Sequence, residues 1–237
     1  MVECWRKGAF TRSDVFDFQI RTRADLVRAV EQFGFVPFFK NRIQGFSLAE
    51  HAAPEVWFSD EEGLWEWKGP VIRETGCAYG KFFGGKAVYI SREWFPDFAN
   101  FRRDGYDFDA LWADGKARHA DKALYELLEP RAPILSRALK DLGGYGKEGR
   151  KGFDVSITRL QHLGYVLISD FVYDLDRQGR PYGWGVAEYS TPEKHLGAAF
   201  RKNVYRRTPE ESFERILRHL QEILPNASEK ALRQLLK

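Results

Sequence analysis

The stretch that most restricts the fold is 133–193, where the signals run helix, basic glycine-rich turn, second helix and long hairpin with arginines at its tip. Leu135, Ala138, Leu139 and Leu142 recur at helical spacing, and Gly143-Gly144 supplies a left-handed stop. The turn over 143–151 sets Gly143, Gly144, Gly146 and Gly149 beside Lys147, Arg150 and Lys151, so positive charge sits on a backbone free to approach a phosphate closely. Phe153, Ile157 and Leu160 predict a second helix over 153–163, stopped by Gly164. Its other face carries Thr158, Arg159 and His162, residue types that reach phosphates or base edges from a helix in a major groove. From Tyr165 the period becomes extended: 165–173 is β-branched and aromatic, 174–181 is turn chemistry with Arg177 and Arg180, and 182–189 is extended again. This is the grammar of a winged helix, whose wing would set those two arginines against a sugar-phosphate backbone. Such units also serve as protein–protein modules, and their tip arginines are then simply solvated.

The N-terminal half has related elements. Thr22 and Asp25 form a capping-box pattern ahead of a helix with Leu26, Val27, Val30 and Phe33, and Ser47 and Glu50 repeat it ahead of a shorter helix ending near Trp57-Phe58. The chain over 64–90 is expected to be extended, with a hairpin over 81–90 turning at Gly84-Gly85. Helix, helix, hairpin is a second winged-helix-like order, although the halves share no close sequence repeat. Ser91 caps a further helix over 92–103, in which Pro96 must fall in the first turns. Residues 104–115 are expected to be a linker, followed by a helix over 121–128 that ends at Glu129-Pro130. Thr208-Pro209 opens an amphipathic helix over 208–224, and a last short helix spans 228–236. The fold class expected is α+β, built of tandem winged-helix-like units in which helices carry small antiparallel hairpin wings. The divisions are 1–115, an aromatic-rich winged-helix-like domain; 116–195, a central winged helix; and 196–237, C-terminal helices docking on the core.

Composition narrows the function. With 43% hydrophobic and 30% charged residues the chain is an ordinary globular protein, and a net charge of +3 does not imply indiscriminate polyanion binding. Charge is local: 143–164 holds Lys147, Arg150, Lys151 and Arg159 against Glu148 and Asp154. Cys4 and Cys77 are too few for a disulfide framework or a cysteine-based zinc site, and the five histidines lack metal-ligand spacing, so no metal or other cofactor is expected. No apolar run approaches a bilayer span, and Glu3, Arg6 and Lys7 open a chain without a secretory core, so a cytoplasmic location off the membrane is expected.

Two carboxylates are catalytic candidates. No phosphate loop, His-Glu-x-x-His motif or nucleophile elbow is present. Glu66, between Trp65 and Trp67, is a candidate general acid or base if an apolar wall raises its pKa; as a strand residue it would instead alternate outward while the tryptophans face in. Asp97 is the second candidate. Asp107 and Asp109 read as caps or ion-pair residues. The aromatic density over 57–112 is core, or the wall of a pocket in which unstacked bases rest on rings.

Trp65-Glu-Trp-Lys-Gly-Pro70, Tyr79-Gly-Lys-Phe-Phe83, Trp94-Phe-Pro-Asp-Phe-Ala-Asn-Phe-Arg-Arg103, Gly105-Tyr-Asp-Phe-Asp109 and Tyr182-Gly-Trp-Gly185 together resemble bacterial proteins related to the AlkZ/YcaQ DNA glycosylases, over most of the chain. The resemblance implies tandem winged helices on double-stranded DNA and excision of alkylated or crosslinked bases by N-glycosidic hydrolysis. Those enzymes position water with a Gln-x-Gln or Gln-x-Asp motif near the N-terminus. Here 35–41 reads Phe-Val-Pro-Phe-Phe-Lys-Asn, and Gln161 lies in the other unit beside His162. Two functions follow: a DNA glycosylase with an unassigned catalytic carboxylate, or a non-catalytic DNA-binding or regulatory protein that lacks the motif.

Overall fold

The computed structural model describes residues 19–57 and 62–236, so Cys4, the N-terminal charges and Phe58 lie outside the described residues. The first elements are α1 (Arg23–Phe33), β1 (Phe35–Pro37), α2 (Leu48–His51), a single 3₁₀ turn (Pro54–Val56), α3 (Lys68–Thr75), β2 (Ala78–Phe83) and β3 (Lys86–Ile90). Thr22 Oγ1 accepts from the Asp25 amide while the Asp25 carboxylate accepts from the Thr22 amide, which closes the capping box of α1. Next come α4 (Phe95–Arg103), α5 (Phe108–Ala113), α6 (His119–Leu128), β4 (Ile134–Leu135), α7 (Ser136–Leu142), α8 (Phe153–His162), β5 (Leu167–Leu175) and β6 (Pro181–Ser190). The C-terminal helices are α9 (Pro192–His195), α10 (Gly197–Asn203), α11 (Pro209–Ile223) and α12 (Glu229–Leu235).

The strands form one six-stranded antiparallel sheet in the order β1-β3-β2-β5-β6-β4. The element order α1-β1-α2-α3-β2-β3 recurs as α6-β4-α7-α8-β5-β6, and each short first strand pairs with the last strand of its own series. The sheet is therefore a mirrored sequence of two three-stranded halves, joined where β2 meets β5 at Tyr79 and Ile168.

The helix before each hairpin packs across this join, α3 on β5 and α8 on β2. Close approach explains two glycines: a Cβ on Gly69 would lie 2.5 Å from Asp170 Oδ1, and one on Gly80 would lie 3.1 Å from Gln161 Oε1. Gln161 is fully buried and spans the join, accepting from the Lys81 amide at 3.0 Å and donating to the Ile157 carbonyl at 3.1 Å. Its amide satisfies a β2 donor where the β2–β3 register shifts between Gly80 and Phe83. A continuous apolar core runs from Ile20 to Leu236, so most of the dense aromatics are core.

Three expectations are corrected. Residues 68–75 are helical, not extended: Pro70 falls in the first turn of α3, where a missing amide hydrogen costs nothing, and the Val71 amide bonds the Trp67 carbonyl. Glu66 accordingly lies in the turn ahead of α3, with no strand alternation. The helix after Ser47 ends at His51, because Ala52 and Ala53 are extended ahead of Pro54. Residues 104–115 contain α5, capped by Asp107, which accepts from the Ala110 amide at 2.8 Å.

Candidate nucleic-acid interface

The turn between α7 and α8 gathers Lys147, Arg150 and Lys151 on the surface. Gly144 is left-handed at φ +66°, and the Arg150 amide bonds the Gly144 carbonyl at 2.8 Å, so the turn folds back on itself. Arg150 lies over the Tyr145 ring at 5.1 Å, and Lys151 Nζ donates to the Gly146 carbonyl at 3.0 Å and to the Lys147 carbonyl. None of the three forms a salt bridge among the described residues, so their charges are open to an anion.

Along α8 the expected contact residues are engaged within the protein. Arg159 grips Asp121 of α6 with one nitrogen at 2.7 and 2.8 Å from its two oxygens, His162 Nε2 meets Arg102 Nη1 at 3.1 Å, and Thr158 is half-buried. The exposed positions on α8 include Asp154 and Val155, the latter 60% exposed. Because α8 is wedged against β2 and α6, its basic side chains turn to the seams beside it.

The β5–β6 tip is closed by Asp176, which accepts from the Gln178 and Arg180 amides and from Arg180 Nε at 2.9 Å. Those bonds, the Arg180 amide first, hold the Asp176 carboxyl below its usual range. Arg180 is thus paired locally, whereas Arg177 is exposed and forms no salt bridge among the described residues. On β6, Trp184 is 75% exposed and meets Trp65 edge-on at 5.9 Å.

Trp65 is the hub of an aromatic cluster, with ring centroids of Phe38, Trp57 and Phe39 at 5.3, 6.1 and 6.2 Å. Its Nε1 is buried without a hydrogen-bond partner among the described residues. Glu66 Oε2 accepts from the Gly63 amide at 3.0 Å. Lys68 Nζ lies 5.0 Å from the Trp65 ring centroid and 4.2 Å from that of Phe171; burial pushes its pKa down to about 8, against the opposing charge of Glu66. Lys68 carries no signal of its own in the sequence, because Gly69-Pro70 masks the helix that it opens.

Asp97 occupies a different setting. It is buried and accepts from Ser212 Oγ at 3.1 Å, from Arg207 at 3.2 Å and from Arg215, binding α4 to α11. Three protein donors already hold its two oxygens in a buried site, which leaves it poorly placed to activate water. A second buried charge, Arg103, was also missed in sequence. It donates to the Gly164 carbonyl at 2.8 and 3.2 Å, to Glu193 at 2.7 Å and to Tyr205 Oη at 3.0 Å. Arg103 lines a cleft of about 450 Å³ with Phe108, Tyr125 and Tyr165. The only trace of it in sequence is an arginine pair at the end of α4.

Among the described residues no group of His, Cys, Asp or Glu is placed to hold a metal, and no helix is long and apolar enough to cross a membrane. The buried Cys77 thiol is pushed up to about 12, which removes it as a nucleophile.

A family model described as AlkZ related matches residues 20–237. The chain belongs to the AlkZ-related family. Comparison with curated proteins and with solved structures gives no match to either. For this AlkZ-related chain the match runs through both series of elements, the aromatic cluster and the C-terminal helices together.

Proposed function

We propose that this AlkZ-related protein binds double-stranded DNA through two winged-helix units joined back to back, as part of base-excision repair. The observation that carries the reading is the repeated α-β-α-α-β-β order with its mirrored sheet, beside which the turn at Lys147, Arg150 and Lys151 and the tip at Arg177 hold cations that form no salt bridge among the described residues. These four contact phosphates. Arg180, Arg159, Thr158 and His162 join them only where DNA draws them from their present partners. The exposed Trp184 stacks on an unpaired base beside the Trp65 cluster. Glu66, at the edge of that cluster, is the carboxylate for a glycosylase-like step, in preference to the enclosed Asp97.

One observation favours the non-catalytic alternative. Where the related glycosylases carry a water-positioning motif, Phe35, Val36 and Phe38 are fully buried apolar residues, and the Asn41 side chain is taken up by the Phe46 carbonyl and the Ile43 amide.

The test is titration of labelled duplex, undamaged and N7-alkylated, at several salt concentrations, followed by heat-alkali scission against a no-protein control. Binding that weakens with salt is expected, with the log–log slope falling in magnitude by roughly 3–4 when Lys147, Arg150, Lys151 and Arg177 are neutralised together. Scission above control on the alkylated strand establishes excision, and binding without scission selects the non-catalytic alternative. Absence of binding ends the DNA reading.

A further inference from the structure

Lys68 is held in an unusual way. Lys122 pairs with Glu126, Lys194 donates to the Glu129 carbonyl and Lys86 to the Lys40 carbonyl, but Lys68 has neither an ion pair nor a hydrogen bond among the described residues. Its nitrogen rests between the faces of Trp65 and Phe171, at the start of α3 where that helix lies on β5. The side chain is half-buried, not sealed.

Ring faces attract an ammonium but accept no strong hydrogen bond from it, so this environment favours the neutral amine more than water does. With the pKa pushed down to about 8, roughly a quarter of the molecules carry a free amine at pH 7.5, against roughly one in a thousand for an ordinary lysine. A phosphate-binding lysine needs its charge; a nucleophilic one needs to lose it. Two neighbours complete the arrangement: Trp184, exposed and edge-on to the same Trp65, and Glu66, two residues earlier in the chain, whose Oε2 takes the Gly63 amide while Oε1 has no hydrogen-bond partner among the described residues.

We propose that Lys68 is the nucleophile of an abasic-site lyase activity, forming an imine with the ring-opened C1′ aldehyde of deoxyribose in DNA. The amine adds to C1′, and the former carbonyl oxygen leaves as water to give the iminium. Glu66 removes a proton from C2′, the C3′–O bond breaks, and the 3′ phosphate departs with the electron pair. Water then hydrolyses the imine and returns the amine. Neither an oxidant nor a reductant is required. Stacking on Trp184 would hold the base next to the abasic sugar.

This inference rests on the DNA-binding reading, so binding to undamaged duplex is measured alongside it. The protein is incubated with duplex carrying one pre-formed abasic site and then with sodium borohydride, which reduces an imine to a stable secondary amine. The expected result is a protein–DNA adduct that maps to the Lys68 peptide and falls at least 100-fold in Lys68→Arg. Arginine keeps a cation over the two rings but has no nucleophilic amine at neutral pH, and a shared melting temperature shows that the variant is folded. Mapping on the unaltered protein stands even if the variant does not fold. Duplex binding without a trapped adduct, or an adduct confined to another amine, overturns the lyase and leaves the DNA reading intact. Loss of duplex binding itself overturns both.

Discussion

Two carboxylates stood out in the sequence, and their surroundings separate them. Asp97 receives two guanidinium groups and a hydroxyl in a buried site, so Asp97→Asn leaves Arg207 and Arg215 without their shared anion. A loss of about 3–5 kcal/mol in urea unfolding is expected, with duplex binding retained wherever the variant is folded. Glu66→Gln breaks no ion pair among the described residues and is expected to cost under about 1 kcal/mol. Acid sensitivity belongs to other residues. Burial lowers the pKa of His195 and of His219, the latter stacked on Trp94 at 4.0 Å with Nε2 at 2.8 Å from the Phe33 carbonyl. Both imidazoles resist protonation when folded, so the unfolded chain binds the proton first as pH falls through about 6.5. Their contribution is complete above that pH and is lost below it, and urea unfolding at pH 7 and pH 5 should show a smaller difference in His219→Gln. Individual fates were hidden in the sequence for a geometric reason. Arg159 reads as an outward helical arginine until Asp121, 38 residues upstream, is brought against it.

Elements were legible where their signals are local. Thr22 and Thr208 cap their helices with both bonds of the capping box, and the turn expected over 174–181 contains the 176–180 connection between β5 and β6. Among the elements that escaped, α3 has Gly-Pro in its first turn, and its packing against β5 compensates for its poor propensity. That packing is testable at Gly69. In most helix positions Gly→Ala stabilises by about 1 kcal/mol. Here the new Cβ would meet Asp170 Oδ1 at 2.5 Å and the Phe171 nitrogen at 3.4 Å, and Asp170 is fixed by Arg73 and by the Phe171 amide. Gly69→Ala should therefore destabilise by about 1–3 kcal/mol, measured by urea denaturation. A stabilised variant would mean that α3 has room to move away from β5, and the packing across the join would be looser than described.

At the scale of the molecule, the expectation of two hairpin-bearing units meets a single sheet. The join is one residue pair, Tyr79 with Ile168, and so short a pairing has no local signature; it follows from α3 and α8 each covering a strand of the opposite half. Burial of Gln161 between the halves adds a polar contact that neither half can satisfy alone, since its carbonyl group serves the Lys81 amide. Unfolding should consequently be a single transition for both halves, with near-ultraviolet circular dichroism and far-ultraviolet signals coincident in urea. The same contacts bear on residues 116–195 expressed alone. That fragment keeps α6, β4, α7, α8, β5 and β6 but loses β2 and α3, which exposes Leu160 and Gln161 of α8 and the edge of β5. It is expected to give a broad, weakly cooperative transition or to self-associate, whereas a sharp monomeric transition would show that residues 116–195 fold by themselves. The join would then be a docking surface between two independently folding units.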